Sequence, residues 1–274
     1  MKRIFKTGLI AIAAGLTIGT LPAIAHADSK TVTVGIVGTG DAGLWKVVAK
    51  TAKEKYGITV KTKVFTDYTQ PNQAVAAGSI DLNAFQHVYF LNNWNASNKN
   101  SVVSIGKTVI APIQLYSTSH KSVKDFKKGD KIVIPNDATN EGRALTLLQT
   151  AGLIKLDSKT KLPTTKDITS NKLNLKITAI DASQTPSALK SSAGAVINNT
   201  YAQDAKLNDK DAIYTEPVNK ASSQWINIIA AKKSEKNNKT YQEVVKAYQT
   251  QATKDYIKKT WGDSEVGAWD IKLK

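Results

Sequence analysis

The chain has 274 residues, with 38 Lys and Arg against 22 Asp and Glu, a formal charge of +16, and no Cys. Without Cys there is no disulfide, no thiolate metal site and no cysteine nucleophile. The lysines are dispersed, with no arginine cluster and no zinc-finger or RNA-motif pattern, so the basic charge does not read as a nucleic-acid footprint.

Met1 to Ala27 reads as a secretory signal: Lys2, Arg3 and Lys6 supply the charge, Thr7 to Ile24 is mostly apolar, and Ala25-His26-Ala27 is a small-x-small cleavage site. Cleavage there leaves 247 residues with a net charge of +13. No later stretch is apolar enough to span a membrane. The expectation is an exported protein, extracellular or at the cell surface. Lacking Cys, it is expected there without a lipid anchor. Its Lys-rich surface can adhere to an anionic cell wall.

Thr31 to Val37 is predicted as a strand, followed by Gly38, Gly40 and Gly43 and then a helix through Trp45, Val48 and Ala52. This spells G-x-G-x-x-G, but the acidic residue of a dinucleotide site about 20 positions on is missing, and Asp67 comes too late. Thr59 to Phe65 is a second strand and Ile80 to Phe85 a third. The polar and aromatic residues Tyr68 and Gln86 to Phe90 gather after these strands, where open α/β sheets bind ligands. His87 has no second His or carboxylate at metal-ligand spacing, so no metal is expected; it either packs or lines a pocket.

Thr108 to Ser117 is predicted as a strand long enough to cross between lobes, and Lys121 to Gly129 as a short helix. Ile132 to Ile134 is a short buried strand broken by Pro135-Asn136-Asp137. Thr139 or Asn140 is expected to cap the helix that follows, placing Arg143 in its first turn beside unpaired N–H groups. Only two basic residues are arginine, Arg3 and Arg143, so the mature chain uses lysine everywhere except here. A bidentate fork that stays charged is what lysine cannot replace. Arg143 therefore either holds a ligand carboxylate or pairs with an Asp or Glu.

Lys155 to Asn174 is a polar surface excursion. Leu175 to Ile180 and Gly194 to Ile197 are strands, the latter ending in Asn198-Asn199-Thr200-Tyr201. Trp225 to Ala231 is a late strand and a second crossing, and Thr240 to Trp261 one long amphipathic helix. Strands and helices alternate, so the fold class is α/β. Two crossings divide the chain into a signal at 1–27, one discontinuous lobe at 28–113 plus 224–274, and a second lobe at 114–223.

DYTQPN at 67–72, DLNAFQH at 81–87, IPNDATNEGRAL at 134–145, AGLIKL at 151–156, AVINNTYA at 195–202 and INIIAAK at 226–232 together resemble the methionine-binding lipoprotein (NlpA/MetQ) family. The likeness runs from Thr31 to about Trp269. It implies a two-lobed periplasmic-binding-protein-like fold of type II, with the ligand cleft between the lobes. It also implies a solute-binding protein of an ABC importer. The ligand would be L-methionine or a related amino acid or methionine-containing dipeptide, captured by lobe closure and passed to a membrane permease. By position, Arg143 would hold the ligand carboxylate. Asn140, Asn198 and Asn227 would bind its amino and carboxylate groups. Tyr68, Phe85 and His87 would line the side-chain pocket, with Phe90 standing where many members have Tyr. A cofactor is not implied, and a monomer is. Neither a metalloprotease helix, a G-x-S-x-G nor a Cys nucleophile is present, so no enzyme is expected. The alternative is a basic, wall-associated adhesin retaining this fold.

Overall fold

Two five-stranded sheets organise residues 30–273, the part of the chain that the computed structural model describes. The expected signal at 1–27 lies outside the described residues. In chain order the strands are β1 (Thr31–Val37), β2 (Thr59–Phe65), β3 (Leu82–Asn83), β4 (Val102–Lys107), β5 (Val109–Ile110), β6 (Gln114–Tyr116) and β7 (Lys131–Pro135). They continue with β8 (Lys155–Leu156), β9 (Ile168–Ser170), β10 (Lys176–Ile180), β11 (Gly194–Ile197), β12 (Ala212–Thr215), β13 (Ile228–Lys232) and β14 (Val266–Gly267). The helices are α1 (Ala42–Tyr56), α2 (Gln70–Ala77), α3 (Val88–Ser97), α4 (Ala138–Thr150), α5 (Thr185–Ala188), α6 (Asn199–Asp204), α7 (Lys239–Tyr248) and α8 (Gln251–Trp261).

The first sheet has the order β2-β1-β3-β13-β4 and the second β10-β7-β11-β6-β12. β1 runs parallel to β2 and β3, and β7 parallel to β10 and β11. β13 and β6 enter their sheets antiparallel. These are the strands that follow the two crossings, which arrive from the opposite lobe. The cleft therefore lies beyond the carboxyl ends of the parallel strands, where α/β sheets present loops and helix starts. The two small pairs, β5 with β14 and β8 with β9, sit outside these sheets.

The sequence pattern explains the layers. β1 is buried at Val32, Val34, Ile36 and Val37, as a strand covered on both faces must be. α1 lays Leu44, Trp45, Val48 and Ala52 onto it, and α7 adds Val244, Ala247 and Tyr248. In the second lobe Ile132 and Ile134 of β7 pack with Leu145, Leu147 and Leu148 of α4. A third cluster takes residues from both sheets, including Val37, Phe65, Phe85, Tyr116, Tyr201 and Ile228.

Several expectations need correction. The predicted strand at 108–117 is two short pieces, β5 and β6, interrupted at Ala111-Pro112-Ile113, because proline has no N–H to give a ladder. The predicted helix at 121–129 is a single 3₁₀ turn, Val123–Asp125, capped by Ser122. The strand expected at 80–85 pairs only at Leu82–Asn83. The strand expected to start at Trp225 starts at Ile228, because Trp225 ends the 3₁₀ helix Lys220–Trp225. The long C-terminal helix is two, α7 and α8, since Thr250 takes the hydrogen bond of Thr253 N at 3.3 Å and caps a new helix. The apolar pattern runs on across this break because both helices face the same core.

Candidate ligand-binding site

The site is built outward from the start of α4. Asp137 is its N-cap, correcting the expectation of Thr139 or Asn140: Oδ1 accepts from Asn140 N at 3.1 Å and from Thr139 Oγ1 at 3.1 Å. Both Asp137 oxygens also accept from Asn140 Nδ2 at 3.0 Å. Burial pushes the Asp137 carboxyl above its ordinary range. With its amide nitrogen committed, Asn140 turns Oδ1 into the cleft. There it accepts from Asn198 Nδ2 at 2.8 Å and meets His87 Nε2 at 3.3 Å.

His87 caps α3 with Nδ1, which accepts from Phe90 N at 3.0 Å. The ring hydrogen must then sit on Nε2, facing Asn140 Oδ1. Burial, then the Arg143 charge, push the imidazole down to about 3, so His87 is neutral. Its backbone bridges Asn227 across the strand end. Asn227 N donates to Val109 O at 2.7 Å and its carbonyl accepts from Thr108 N, but its side-chain amide has no partner among the described residues.

Arg143 is the sixth residue of α4, one turn deeper than expected. Its Nε donates to Glu216 Oε1 at 2.9 Å, and Nη2 donates to Glu216 Oε2 and to Ala111 O, the latter at 3.0 Å. Its Cζ lies 4.7 Å from the centre of the Trp225 ring. Ala111 belongs to the first crossing and Trp225 to the second, and Glu216 directly follows β12. Glu216 N also donates to Ile113 O at 3.1 Å, tying the end of β12 to the first crossing. Of the two readings of Arg143, the ion pair is present, and the same side chain still faces the cleft. Nη1 has no hydrogen-bond partner among the described residues.

All eight residues singled out from the sequence (Tyr68, Phe85, His87, Phe90, Asn140, Arg143, Asn198 and Asn227) line one cavity, together with Gln86, Ala111, Asn199 and Thr200. Its apolar wall is a ring cluster: Tyr68 stands 5.7 Å from Phe85 and 6.0 Å from Phe90, and Phe85 stands 5.8 Å from Phe90. Tyr201 backs Tyr68 at 4.8 Å. Asn198 Oδ1 is buried there with no partner among the described residues. A buried acceptor left alone costs roughly 1–3 kcal/mol, so this oxygen favours a ligand that donates a hydrogen bond.

Arg143 and Glu216 cancel in charge and His87 is neutral. The cavity therefore presents a guanidinium edge, free amides, one unpaired acceptor and an aromatic wall. That set suits a small zwitterion with an apolar side chain. Sequence reasoning missed Glu216, which lies 73 residues from Arg143 and carries no local signal. It also missed the buried amide cluster behind the site. Gln86 Nε2 donates to Asn72 Oδ1 at 2.6 Å and to Asn83 Oδ1 at 2.9 Å, fixing the strand end that carries His87. Its signal was the amide content of the DYTQPN and DLNAFQH motifs.

The family model described as NlpA lipoprotein matches residues 32–269. A Haemophilus influenzae protein named as a probable D-methionine-binding lipoprotein MetQ is 38% identical, over 98% of this chain and 99% of the relative. The Escherichia coli K12 D-methionine-binding lipoprotein MetQ is 36% identical, over 94% and 97%. Among solved structures, a nutrient-binding protein from Burkholderia cenocepacia bound to methionine superposes with a TM-score of 0.83 at 42% identity, covering 86% of this chain and 99% of that one. The substrate-binding protein of a methionine transporter from Streptococcus pneumoniae gives 0.82 at 44% identity, covering 87% and 96%. The two-lobed binding-protein fold is shared with these structures.

These matches overturn one expectation. The family and its relatives are named lipoproteins, which points against a surface protein without a lipid anchor. The missing cysteine removed one attachment chemistry from this sequence; it is not a statement of how the protein is held at a membrane. The match over residues 32–269, the relatives at more than a third identity and the shared two-lobed structure place the chain in one family: it belongs to the NlpA lipoprotein family.

Proposed function

We propose that the protein is the substrate-binding component of an ABC importer, and that it captures methionine or a close relative in the cavity between its lobes. The observation that carries this reading is Asn198 Oδ1, a buried acceptor without a partner, in the same cavity as the guanidinium edge of Arg143. An α-ammonium would donate to Asn198 Oδ1, and an α-carboxylate would accept from Arg143 Nη1 and the Asn227 amide. The thioether would lie against Tyr68, Phe85 and Phe90, where sulfur packs well on aromatic rings.

On this reading the lobes are 28–113 plus 224–274 and 114–223, the partner is a membrane permease, and the binding protein is monomeric and not an enzyme. The names and titles of the relatives support methionine as the ligand class. The adhesin reading gains nothing from them.

The test is calorimetric titration of refolded protein freed of carried-over ligand, with L-methionine, D-methionine, methionine-containing dipeptides and unrelated amino acids. Saturable binding of methionine with a stoichiometry near one is expected. Binding of a dipeptide alone would move the specificity while keeping the clamp. Binding of none of them would remove the reading.

A further inference from the structure

The glycine pattern after β1 is not used by the ligand cavity. Gly38 has a φ of +68°, and the loop turns the amides of Thr39 and Gly40 outward. Both are taken by one side chain from the other lobe. Asp204 Oδ1 accepts from Thr39 N at 2.8 Å, from Gly40 N at 3.0 Å and from Thr39 Oγ1 at 3.2 Å. The glycines are fitted to this contact. A Cβ on Gly38 would lie 1.9 Å from Asp204 Oδ2, and one on Gly40 would lie 2.6 Å from Gln203 Oε1. A loop filled by the chain's own carboxylate has no amides left for a pyrophosphate, so the dinucleotide pattern is coincidental.

Asp204 is the last residue of α6, whose N-cap is Asn198. The same short helix carries Asn199 and Thr200 of the cavity wall. Its other side meets the first lobe three more times. Asn199 Nδ2 and Gln203 Nε2 donate to Glu265 Oε2 at 2.8 and 3.0 Å, and Tyr201 Oη donates to Thr66 O at 3.3 Å. One end of α6 thus presents the unpaired acceptor, and the other is bolted across the cleft.

We propose that Asp204 is a positioning residue for ligand capture: seated in the Gly38–Gly40 loop, it latches α6 across the closed cleft and sets how fast the lobes reopen. This rests on the ligand-binding reading above, because the latch acts through Asn198. Opening the lobes must break these hydrogen bonds before the ligand can leave, whereas entry into the open form precedes them.

The experiment compares Asp204→Ala, Asp204→Asn and Gly40→Ala with the unaltered protein. Methionine release and association are followed by stopped flow. Lobe separation is followed without ligand, by pulsed EPR between spin labels on Lys61→Cys and Lys190→Cys; the chain has no native cysteine, so the labels are unique. Both positions are exposed, one on each lobe. Asp204→Ala should speed release about three- to tenfold with little change in association, and should shift the label distance toward the open form. Asp204→Asn keeps an acceptor oxygen and should restore most of the slow release. Gly40→Ala, which crowds Gln203 only when the lobes are closed, should mimic Asp204→Ala.

Unchanged release and unchanged label distance in both Asp204→Ala and Gly40→Ala would overturn the latch and leave the ligand reading intact. Absence of methionine binding in the unaltered protein would remove the ligand reading. The label distance would then still decide the latch.

Discussion

Asn198 donates its amide hydrogen to Asn140 Oδ1 at 2.8 Å, and this bond leaves Asn198 Oδ1 as an acceptor without a partner in the cleft. The orientation follows from a chain of fixed groups. Asp137 can only accept, so it takes Asn140 Nδ2; Asn140 Oδ1 must then accept, so Asn198 must donate. The helix cap of α4 thereby sets the polarity of a side chain that lies 58 residues away in sequence. Replacing Asn198 by Ala removes the acceptor. Methionine affinity should fall by about 1.5–3 kcal/mol, the range for a hydrogen bond to a charged group. Calorimetry should show the loss, and an unchanged affinity would disprove this assignment.

Arg143 and Glu216 should behave as a unit. Arg143→Ala leaves the Glu216 carboxylate, whose side chain is only 13% exposed, without its counter-ion. Stability should drop by about 3 kcal/mol, and ligand binding should be lost. Glu216→Gln in the same chain should restore part of the stability and none of the binding. Denaturant titration of the two single variants and the double variant tests this, and strictly additive losses would show that the pair is not coupled.

Arg143→Lys keeps the charge but loses the fork and the guanidinium contact over the Trp225 ring. Methionine affinity should fall by at least about tenfold, with a stability loss smaller than in Arg143→Ala. Equal affinity would mean that a point charge suffices at this position.

His87 is held neutral, with its imidazole pushed from the ordinary 6.5 down to about 3. The unfolded chain therefore takes up a proton that the folded chain refuses. Stability should fall as the pH drops from about 6.5 toward 3, by roughly 2 kcal/mol at pH 5. His87→Gln should flatten this part of a Tm-against-pH profile.

Asp41 acts in the opposite sense. Burial, then the Asp204 charge, raise its carboxyl from 3.8 to about 6. Its contribution to stability is fully present below pH 3.8 and is lost as the pH rises through about 6. Asp41→Asn should therefore raise Tm at pH 7.5 by about 2–4 °C, equivalent to about 1 kcal/mol in a chain of this size, and do little at pH 4. A lower Tm at pH 7.5 would show that the charge is compensated.

The sequence by itself determined the α/β alternation and set Arg143 and the strand-end polar residues apart, while the remaining cavity residues came from the family resemblance. Apolar runs at β1, β7 and β11 are dictated by burial on both faces. Polar and aromatic residues at strand ends, such as Asn198 and His87, stand out because nothing in a strand core needs them. Arg143, the one arginine beyond residue 27, pointed to a fork-shaped contact. What only the tertiary structure decided was the partner of each polar group. Glu216 reaches Arg143 across 73 residues, Asp204 reaches the Gly38–Gly40 loop across more than 160, and neither leaves a periodic or local trace. Helix caps failed for the same reason on a smaller scale: Asp137, Thr139 and Asn140 are all competent to cap, and strand β7 chose among them by where it ends. Hydrophobic pattern is a local property and survives in one dimension. The pairing of buried polar groups depends on which chain segments meet, and only the folded chain fixes that.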